Sequence, residues 1–304
     1  IIDIGSNTVR LVVFDAPARL PVPIFNEGVI CGLGRGLGKT GFLNVEGIAL
    51  AMRALGRFSS LAQEMKVRNF ISFATAAVRD ALDGEKFATE VELKFGFTVR
   101  RLSGKEEARL SAFGVLSGFP KADGVSGDLG GGSLDFVRLD KGAFGNSNTL
   151  PLGHLRVAEE SKYNVDTAKE LIVDQFNSIS WLGDASGRTL YAIGGAWRTI
   201  ARLYIEHTKY PLHVLDNFTI DACDALSFTD LISGLSRASL GKMGGLARRR
   251  SDTLPFAAMV LNKFIGATKP KQIIFSGYGV REGQFFEMLP ERMKKEDPLI
   301  SACE

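Results

Sequence analysis

Two short segments carry the residue types best suited to hold a phosphate. Asp3 to Asp15 reads D-I-G-S-N-T-V-R-L-V-V-F-D, and Asp128 to Asp140 reads D-L-G-G-G-S-L-D-F-V-R-L-D. In each, an aspartate precedes a short glycine-containing turn that ends in a hydroxyl residue, Thr8 or Ser133. Successive backbone N–H groups in such a turn form an anion-binding nest. Gly5, Ser6 and Asn7, and likewise Gly130, Gly131 and Gly132, can therefore present N–H groups to phosphate oxygens, with Thr8 and Ser133 adding hydroxyl donors. Bare glycines at 130–132 let a phosphate approach the backbone closely. One such turn is more often only a turn; two in register shift the balance towards phosphate binding. Asp3 and Asp128 stand at strand ends, where a carboxylate can ligate magnesium directly or through water, or accept from its own backbone in an Asx turn. Asp135 lies two residues past Ser133, so on a strand both side chains point the same way.

Other segments offer complementary chemistry. S-G-K-E-E-A-R-L from Ser103 opens a helix. Acids in a first helical turn complement the helix dipole, but one of them can also orient a water and accept its proton; the residues themselves do not choose between Glu106 and Glu107. Arg79, just past A-T-A-A-V, can clamp a phosphate with its planar fork or sit on a helix surface. Gly194-Gly195 before a helix is a third anion site by dipole and free N–H groups, or a close strand–helix contact. G-L-G-R-G-L-G from Gly32 to Gly38 has the glycine spacing of a dinucleotide fingerprint. It lacks the acidic residue and following strand that the fingerprint needs, and reads as a flexible loop. Arg248-Arg249-Arg250, with Lys242, is either a guide for a polyanion or a solvated charge run.

The elements that position these residues follow from the apolar pattern. Each aspartate-led segment reads as strand, tight turn, strand: residues 1–4 into 8–14, and 125–129 into 133–139. Residues 70–74, 189–193 and 273–276 read as further strands, each followed by a turn or helix start. Asn44 caps a helix whose apolar residues, Val45 to Met65, recur at three- and four-residue spacing. A second helix covers about residues 105–115. Hairpins alternating with strand–helix units predict an α/β protein with mixed sheets, and the repeat predicts two related domains facing each other. The turn-rich stretch Gly118–Pro120 places the boundary between domains 1–118 and 119–304.

Composition removes several classes. The chain has 304 residues, 45% hydrophobic and 23% charged, with a net charge of +3. That balance does not mark a nucleic-acid binder. No run approaches the length of a membrane span. Cys31, Cys223 and Cys303 are scattered and odd in number, which suits a reducing compartment, the cytoplasm, and offers no zinc spacing. His154, His207 and His213 form no metal-binding pair. The chain opens inside a strand without Met and closes where a helix begins, which reads as a trimmed chain.

Five segments, in order, carry a resemblance: D-I-G-S-N-T-V-R-L at Asp3, A-T-A-A-V-R-D-A at Ala74, S-G-K-E-E-A-R-L at Ser103, D-L-G-G-G-S-L-D at Asp128 and F-S-G-Y-G-V-R-E-G at Phe275. Together they resemble the exopolyphosphatase / guanosine pentaphosphate phosphohydrolase (Ppx/GppA) family over nearly the whole chain. The resemblance implies the actin-like ATPase (ASKHA) fold, two ribonuclease H-like domains with mixed sheets flanking a cleft, the last residues returning to the first domain. It implies release of terminal phosphate from polyphosphate, or of the 5′ γ-phosphate of pppGpp, with a divalent cation, usually magnesium, and a homodimer. Glu107 then maps to the catalytic base, Arg79 to a phosphate contact, and the two turns to the phosphate loops. The family commonly reads D-x-G-G-G-S-T-E where this chain has Leu134 and Asp135, one methylene shorter. Asp135 is still expected as a catalytic carboxylate, reaching through water or metal. Many relatives continue into a C-terminal helical domain, which is expected to be either naturally absent here or cut from the chain.

The expected chemistry is in-line hydrolysis, with Glu107 orienting water against a phosphate held by the N–H nests, Arg79 and magnesium. The rival readings are a small-molecule kinase of the same superfamily, a non-catalytic sensor of guanosine polyphosphates and, more distantly, a filament-forming actin relative.

Overall fold

In the computed structural model, residues 1–16, 18–241 and 252–303 are described. Lys242 and Arg248–Arg250 lie outside them. The chain divides into two compact units, Ile1–Glu107 with Phe285–Glu304, and Ala108–Gln284.

The first unit contains β1 (Ile2–Ile4), β2 (Thr8–Phe14), β3 (Pro23–Ile30), α1 (Leu37–Thr40), α2 (Val45–Glu64), β4 (Ser72–Ala74), α3 (Ala76–Asp80), α4 (Gly84–Phe95) and β5 (Arg100–Arg101). Its sheet runs β3-β2-β1-β4-β5. The β1–β2–β3 meander is antiparallel, and β4 and β5 continue the sheet parallel to β1. Helix α5 (Gly104–Gly118) then leads into the second unit.

The second unit contains β6 (Gly124–Leu129), β7 (Leu134–Asp140), β8 (Ala143–Leu150), α6 (His154–Glu160), α7 (Val165–Asn177), β9 (Thr189–Ile193), α8 (Gly195–Thr208), β10 (Phe218–Asp221), α9 (Ala222–Gly234), α10 (Arg237–Leu240), α11 (Leu254–Thr268), β11 (Gln272–Phe275) and the start of α12 (Val280–Met288). Its sheet runs β10-β11-β9-β6-β7-β8. Read from the outer hairpin strand, β8-β7-β6-β9-β11 repeats the order and strand directions of β3-β2-β1-β4-β5, with β10 added antiparallel at the edge. This is the ribonuclease H-like order expected of each half. Helices α13 (Glu291–Lys294) and α14 (Pro298–Cys303) close the chain in the first unit.

The division between units does not fall at Gly118–Pro120, as the turn-rich sequence predicts. It falls inside α5, between Glu107 and Ala108, and again inside α12, between Gln284 and Phe285. Gly118 and Pro120 end a helix that runs unbroken from Gly104; they stop α5 rather than link two domains.

Local chemistry accounts for the main elements. Asn44 accepts from the Gly47 N–H at 2.8 Å, the cap expected for α2. Ala51, Met52, Leu55, Phe58 and Ala62 bury one stripe of that helix beside Ile2, Ile4, Val9 and Leu11 of the first sheet. Helix α11 is buried on most of its surface, from Leu254 and Phe256 through Met259, Val260 and Phe264. A helix apolar all round belongs in a core, and α11 packs with α6–α9 against one face of the second sheet. Gly127 of β6 makes room for it: a Cβ there would stand 2.4 Å from the Phe264 ring. The other face carries α5, whose Ala108, Ala112 and Val115 meet Val137 and Leu139 of β7.

Candidate active site

Both aspartate-led turns have the same hydrogen-bonding plan. Gly5 N–H closes the first on Thr8 C=O at 3.0 Å, and Gly130 N–H closes the second on Ser133 C=O at 3.0 Å. A separate segment then takes up the carbonyls of each turn. In the first, Ser6 C=O accepts from Gly34 N–H, and Asn7 C=O accepts from Cys31 and Gly32 N–H. In the second, Gly130 C=O accepts from His154 N–H, and Gly131 C=O from Leu155 and Arg156 N–H, the opening of α6. A trans peptide points its C=O and N–H in opposite directions. Tying the carbonyls back therefore aims the N–H groups of Asn7 and Thr8, and of Gly131 and Gly132, away from the supporting segment. This is the arrangement an anion needs.

The support is close-packed. A Cβ on Gly153 would stand 2.3 Å from backbone atoms of Gly131 and Gly132, so only glycine lets α6 reach the second turn. A Cβ on Gly34 would stand 3.1 Å from Ser6 Cβ and 3.4 Å from Ala77 Cβ. The Gly32–Gly38 run, expected as a flexible loop, is thus the packed support of the first turn. Its glycines at 32 and 36 adopt positive φ, and its end forms α1.

Strand register extends the repeat. Asp3 faces Arg10 across β1–β2, and Asp128 faces Asp135 across β6–β7. Directly opposed residues share a face, with Cβ atoms about 4.5–5.5 Å apart, and like charges there repel. The second sheet therefore sets two carboxylates side by side where the first sets an acid and a base. Each carboxylate has hydroxyl donors. Ser111 of α5 donates to Asp128 Oδ2 at 2.6 Å. Ser133 and Thr149 donate to Asp135 at 2.7 Å each, and Asp135 is only 2% exposed. Burial raises the Asp128 carboxyl above its ordinary value, with Ser111, Arg198 and Arg281 opposing and Glu282 adding to the rise.

The two adjacent glutamates of α5 separate cleanly. Glu106 forms a capping box: Ser103 N–H and Ser103 Oγ donate to its Oε2 at 2.9 and 2.7 Å, and Glu106 N–H donates to Ser103 Oγ. Arg100 also binds it, and these contacts, led by the Ser103 backbone, lower its pKa. Glu107 instead turns inward, 7% exposed, where Arg79 Nη1 donates to its Oε2 at 2.8 Å. The same guanidinium donates from Nε to Asp80 at 2.9 Å and approaches Leu102 C=O. Arg79 and Glu107 thus come together.

Gly194 follows the close-packing reading of its sequence. Its φ of 111° and the 2.4 Å separation between a Cβ there and Leu129 C=O require glycine for strand–helix packing, and it opens α8 close beside Asp128. Gly195 is the first residue of that helix. The Gly277–Gly279 turn, following β11, also approaches Asp128. Four residues of this unit escape sequence reasoning. Ser111 and Thr149 look like ordinary helix and strand residues, and only tertiary pairing brings them to Asp128 and Asp135. Arg198, which donates to Gly277 C=O at 2.8 Å, and Arg281 act on Asp128. The R-E-G ending of the last quoted segment is the one sequence signal that pointed near them.

Among the described residues no three acidic, histidine or cysteine side chains form a metal cluster. The donors at the loops are hard oxygens, one aspartate at the head of each. Each aspartate is a donor of the kind magnesium takes, since that ion uses few protein carboxylates and fills its shell with water and phosphate oxygens.

The sequence profile of the Ppx/GppA phosphatase family matches residues 12–292. Exopolyphosphatase 2 of Mycobacterium tuberculosis is 25% identical over 281 residues, which span 86% of this chain and 88% of that one. Retrograde regulation protein 2 of Saccharomyces cerevisiae is 28% identical over 257 residues, 75% of this chain; the match spans only 43% of the yeast protein. The crystal structure of an exopolyphosphatase from Cytophaga hutchinsonii superposes with a TM-score of 0.82 at 22% identity, covering 94% of this chain and 96% of that one, so the fold is shared. With the profile matching most of its length, the chain belongs to the Ppx/GppA phosphatase family.

Proposed function

We propose that the chain is an exopolyphosphatase, releasing the terminal phosphate of inorganic polyphosphate, the 5′ γ-phosphate of pppGpp, or both by the same chemistry. The observation that carries this reading is the inward-turned Glu107 held by Arg79. A kinase must keep water from its phosphoryl group, whereas an inward-facing carboxylate beside an arginine can orient a water and accept its proton. In this reading the water oxygen attacks the terminal phosphorus, the bridging P–O bond breaks, and the shortened chain leaves. Glu107 orients the water and takes its proton. The N–H groups of Asn7, Thr8, Gly131 and Gly132 bear the phosphate charge, and Arg79 shares its fork between Glu107 and a phosphate oxygen. Asp3 and Asp128 would hold magnesium, which when bound neutralises charge building on the phosphate oxygens. Gly194 and Gly195 would add a phosphate contact at the opening of α8.

Among the described residues no helix is long and apolar enough to cross a membrane. Cys31 and Cys223 are free thiols, which fits a cytoplasmic setting. The deciding assay is phosphate release from long-chain polyphosphate and from pppGpp, side by side with magnesium. Release from either supports hydrolysis and ranks the substrates. No release from both, with ATP-dependent phosphorylation of a sugar or acetate panel, replaces the reading with a kinase.

A further inference from the structure

Ser133, Asp135 and Thr149 form a hydrogen-bonded chain at the base of the second turn. Ser133 Oγ donates to Asp135 Oδ2, and Thr149 Oγ1 donates to Asp135 Oδ1, each at 2.7 Å. Ser133 and Asp135 are both 2% exposed. Thr149 is the register partner of Asp135 across β7–β8, so the contact is built into the strand pairing rather than left to a long side chain. A carboxylate only accepts, and a hydroxyl has one proton to give. Both protons therefore point inward, at Asp135.

Two consequences follow for the turn. Ser133 has no proton left for a phosphate oxygen, contrary to the donor role its position in the sequence implies. Its backbone matters more: Ser133 C=O is the acceptor that closes the turn on Gly130 N–H. Fixing the Ser133 side chain fixes that carbonyl, and with it the direction of the Gly131 and Gly132 N–H groups. The Asp135 carboxylate, with each oxygen engaged and almost no exposed surface, is poorly placed to meet water or a cation.

We propose that Asp135 and Thr149 are positioning residues for the second phosphate turn, acting through Ser133, and that the donors this turn offers a phosphate chain are the backbone N–H groups of Gly131 and Gly132 alone. The proposal rests on the exopolyphosphatase reading for its kinetic effects. Its binding effects can be read without turnover.

The test uses Thr149→Val, Thr149→Ser, Asp135→Asn and Asp135→Ala in the whole chain. Polyphosphate kinetics and half-maximal magnesium are measured beside calorimetric titration of tripolyphosphate in EDTA. Losing one of the paired hydrogen bonds should weaken tripolyphosphate binding and raise KM about three- to tenfold in Thr149→Val, with kcat within about threefold. Thr149→Ser, which restores a hydroxyl, should recover both. Asp135→Asn keeps one acceptor and gains one donor for the two hydroxyls, so it should behave like Thr149→Val and leave the magnesium requirement unchanged. Asp135→Ala should weaken binding further. A fall in kcat of about a hundredfold or more in Asp135→Asn would make Asp135 a catalytic carboxylate and overturn the proposal. So would a tenfold rise in its magnesium requirement, or unchanged tripolyphosphate binding in Asp135→Ala. If the unmodified chain releases no phosphate, the functional reading fails, while the calorimetry still decides the positioning role.

Discussion

Arg79 donates to Glu107 at 2.8 Å, joining the end of α3 to the first turn of α5. The pair is mostly shielded, with side-chain exposures of 20% and 10%. Glu107→Gln keeps the shape and an acceptor oxygen but cannot take a proton. Phosphate release should fall by at least about a hundredfold, the lower range for loss of a general base, while tripolyphosphate binding survives. Near-normal turnover would remove Glu107 from the chemistry. Arg79→Ala should damage both: it leaves a shielded carboxylate without its cation, costing up to about 3 kcal/mol of stability, and removes a phosphate contact. Thermal unfolding beside tripolyphosphate titration separates the two effects.

Glu106 provides the internal control. Its pKa is lowered in the fold, so its contribution to stability is fully present above the unfolded carboxylate value and lost as pH falls through the lower, folded value. Glu106→Gln should therefore unfold more easily at neutral pH, by under about 1 kcal/mol because the side chain is largely solvated. The gap should close in acid, where the parent glutamate is protonated as well. Its kcat should stay within about threefold of the parent, since the side chain binds Ser103 and Arg100 rather than Arg79. A pH-independent stability gap would show that the cap acts through shape, not charge.

The contrast between these neighbours shows what sequence can and cannot say. Both glutamates satisfy the first-turn rule for acids, and local physics does not choose between them. The choice comes from Arg79, far along the chain, and from Ser103, three residues before Glu106, whose capping box occupies that side chain. The strand–turn–strand repeat was legible because its glycines, hydroxyls and apolar alternation are local signals; so was the Asn44 cap. Thr149 and Ser111 were not, because a lone hydroxyl on a strand or helix has no pattern until pairing or packing gives it a carboxylate. The compact units divide elsewhere than at Gly118–Pro120 for a related reason. Gly118 and Pro120 are local stop signals, whereas the division between units depends on which residues pack together, and it runs through the first turn of α5 and the middle of α12.

Gly194 should tolerate no side chain. Its φ of 111° is strained for an L-residue, and a Cβ would meet Leu129 C=O at 2.4 Å and Asp128 Oδ1 at 3.2 Å. Gly194→Ala should destabilise the chain by at least about 2 kcal/mol, combining backbone strain with overpacking, measured by urea unfolding. If it folds, activity should fall as well, because the nearest displaceable group is the Asp128 carboxylate. A variant with parent-like stability would show that the β9–α8 turn can relax.

Gly153 and Gly34 test whether the supports behind the two turns set their geometry. Gly153 has an ordinary φ of −57°, so alanine there adds no backbone strain; what it adds is a Cβ 2.3 Å from Gly131 and Gly132. Relief requires the second turn to move outward or α6 to withdraw its N–H groups from Gly130 and Gly131, and either change turns the phosphate-facing N–H groups. Gly153→Ala should cost about 1–3 kcal/mol of stability, the range for overpacking, and raise the polyphosphate KM more than it lowers kcat. Gly34→Ala meets Ser6 Cβ at 3.1 Å and Ala77 Cβ and the Ser6 carbonyl oxygen at 3.4 Å, which a few tenths of an ångström relieve. Its effects should point the same way and be smaller, under about 1 kcal/mol. The ordering matters more than either value, since it follows from how close each Cβ would come: 2.3 Å from the peptide backbone of the second turn, or 3.1–3.4 Å from the Ser6 and Ala77 Cβ atoms and the Ser6 carbonyl beside the first. Unfolding curves and polyphosphate kinetics on the two variants check it, and a Gly34→Ala defect larger than that of Gly153→Ala would mean that the first turn, not the second, is the less tolerant cradle.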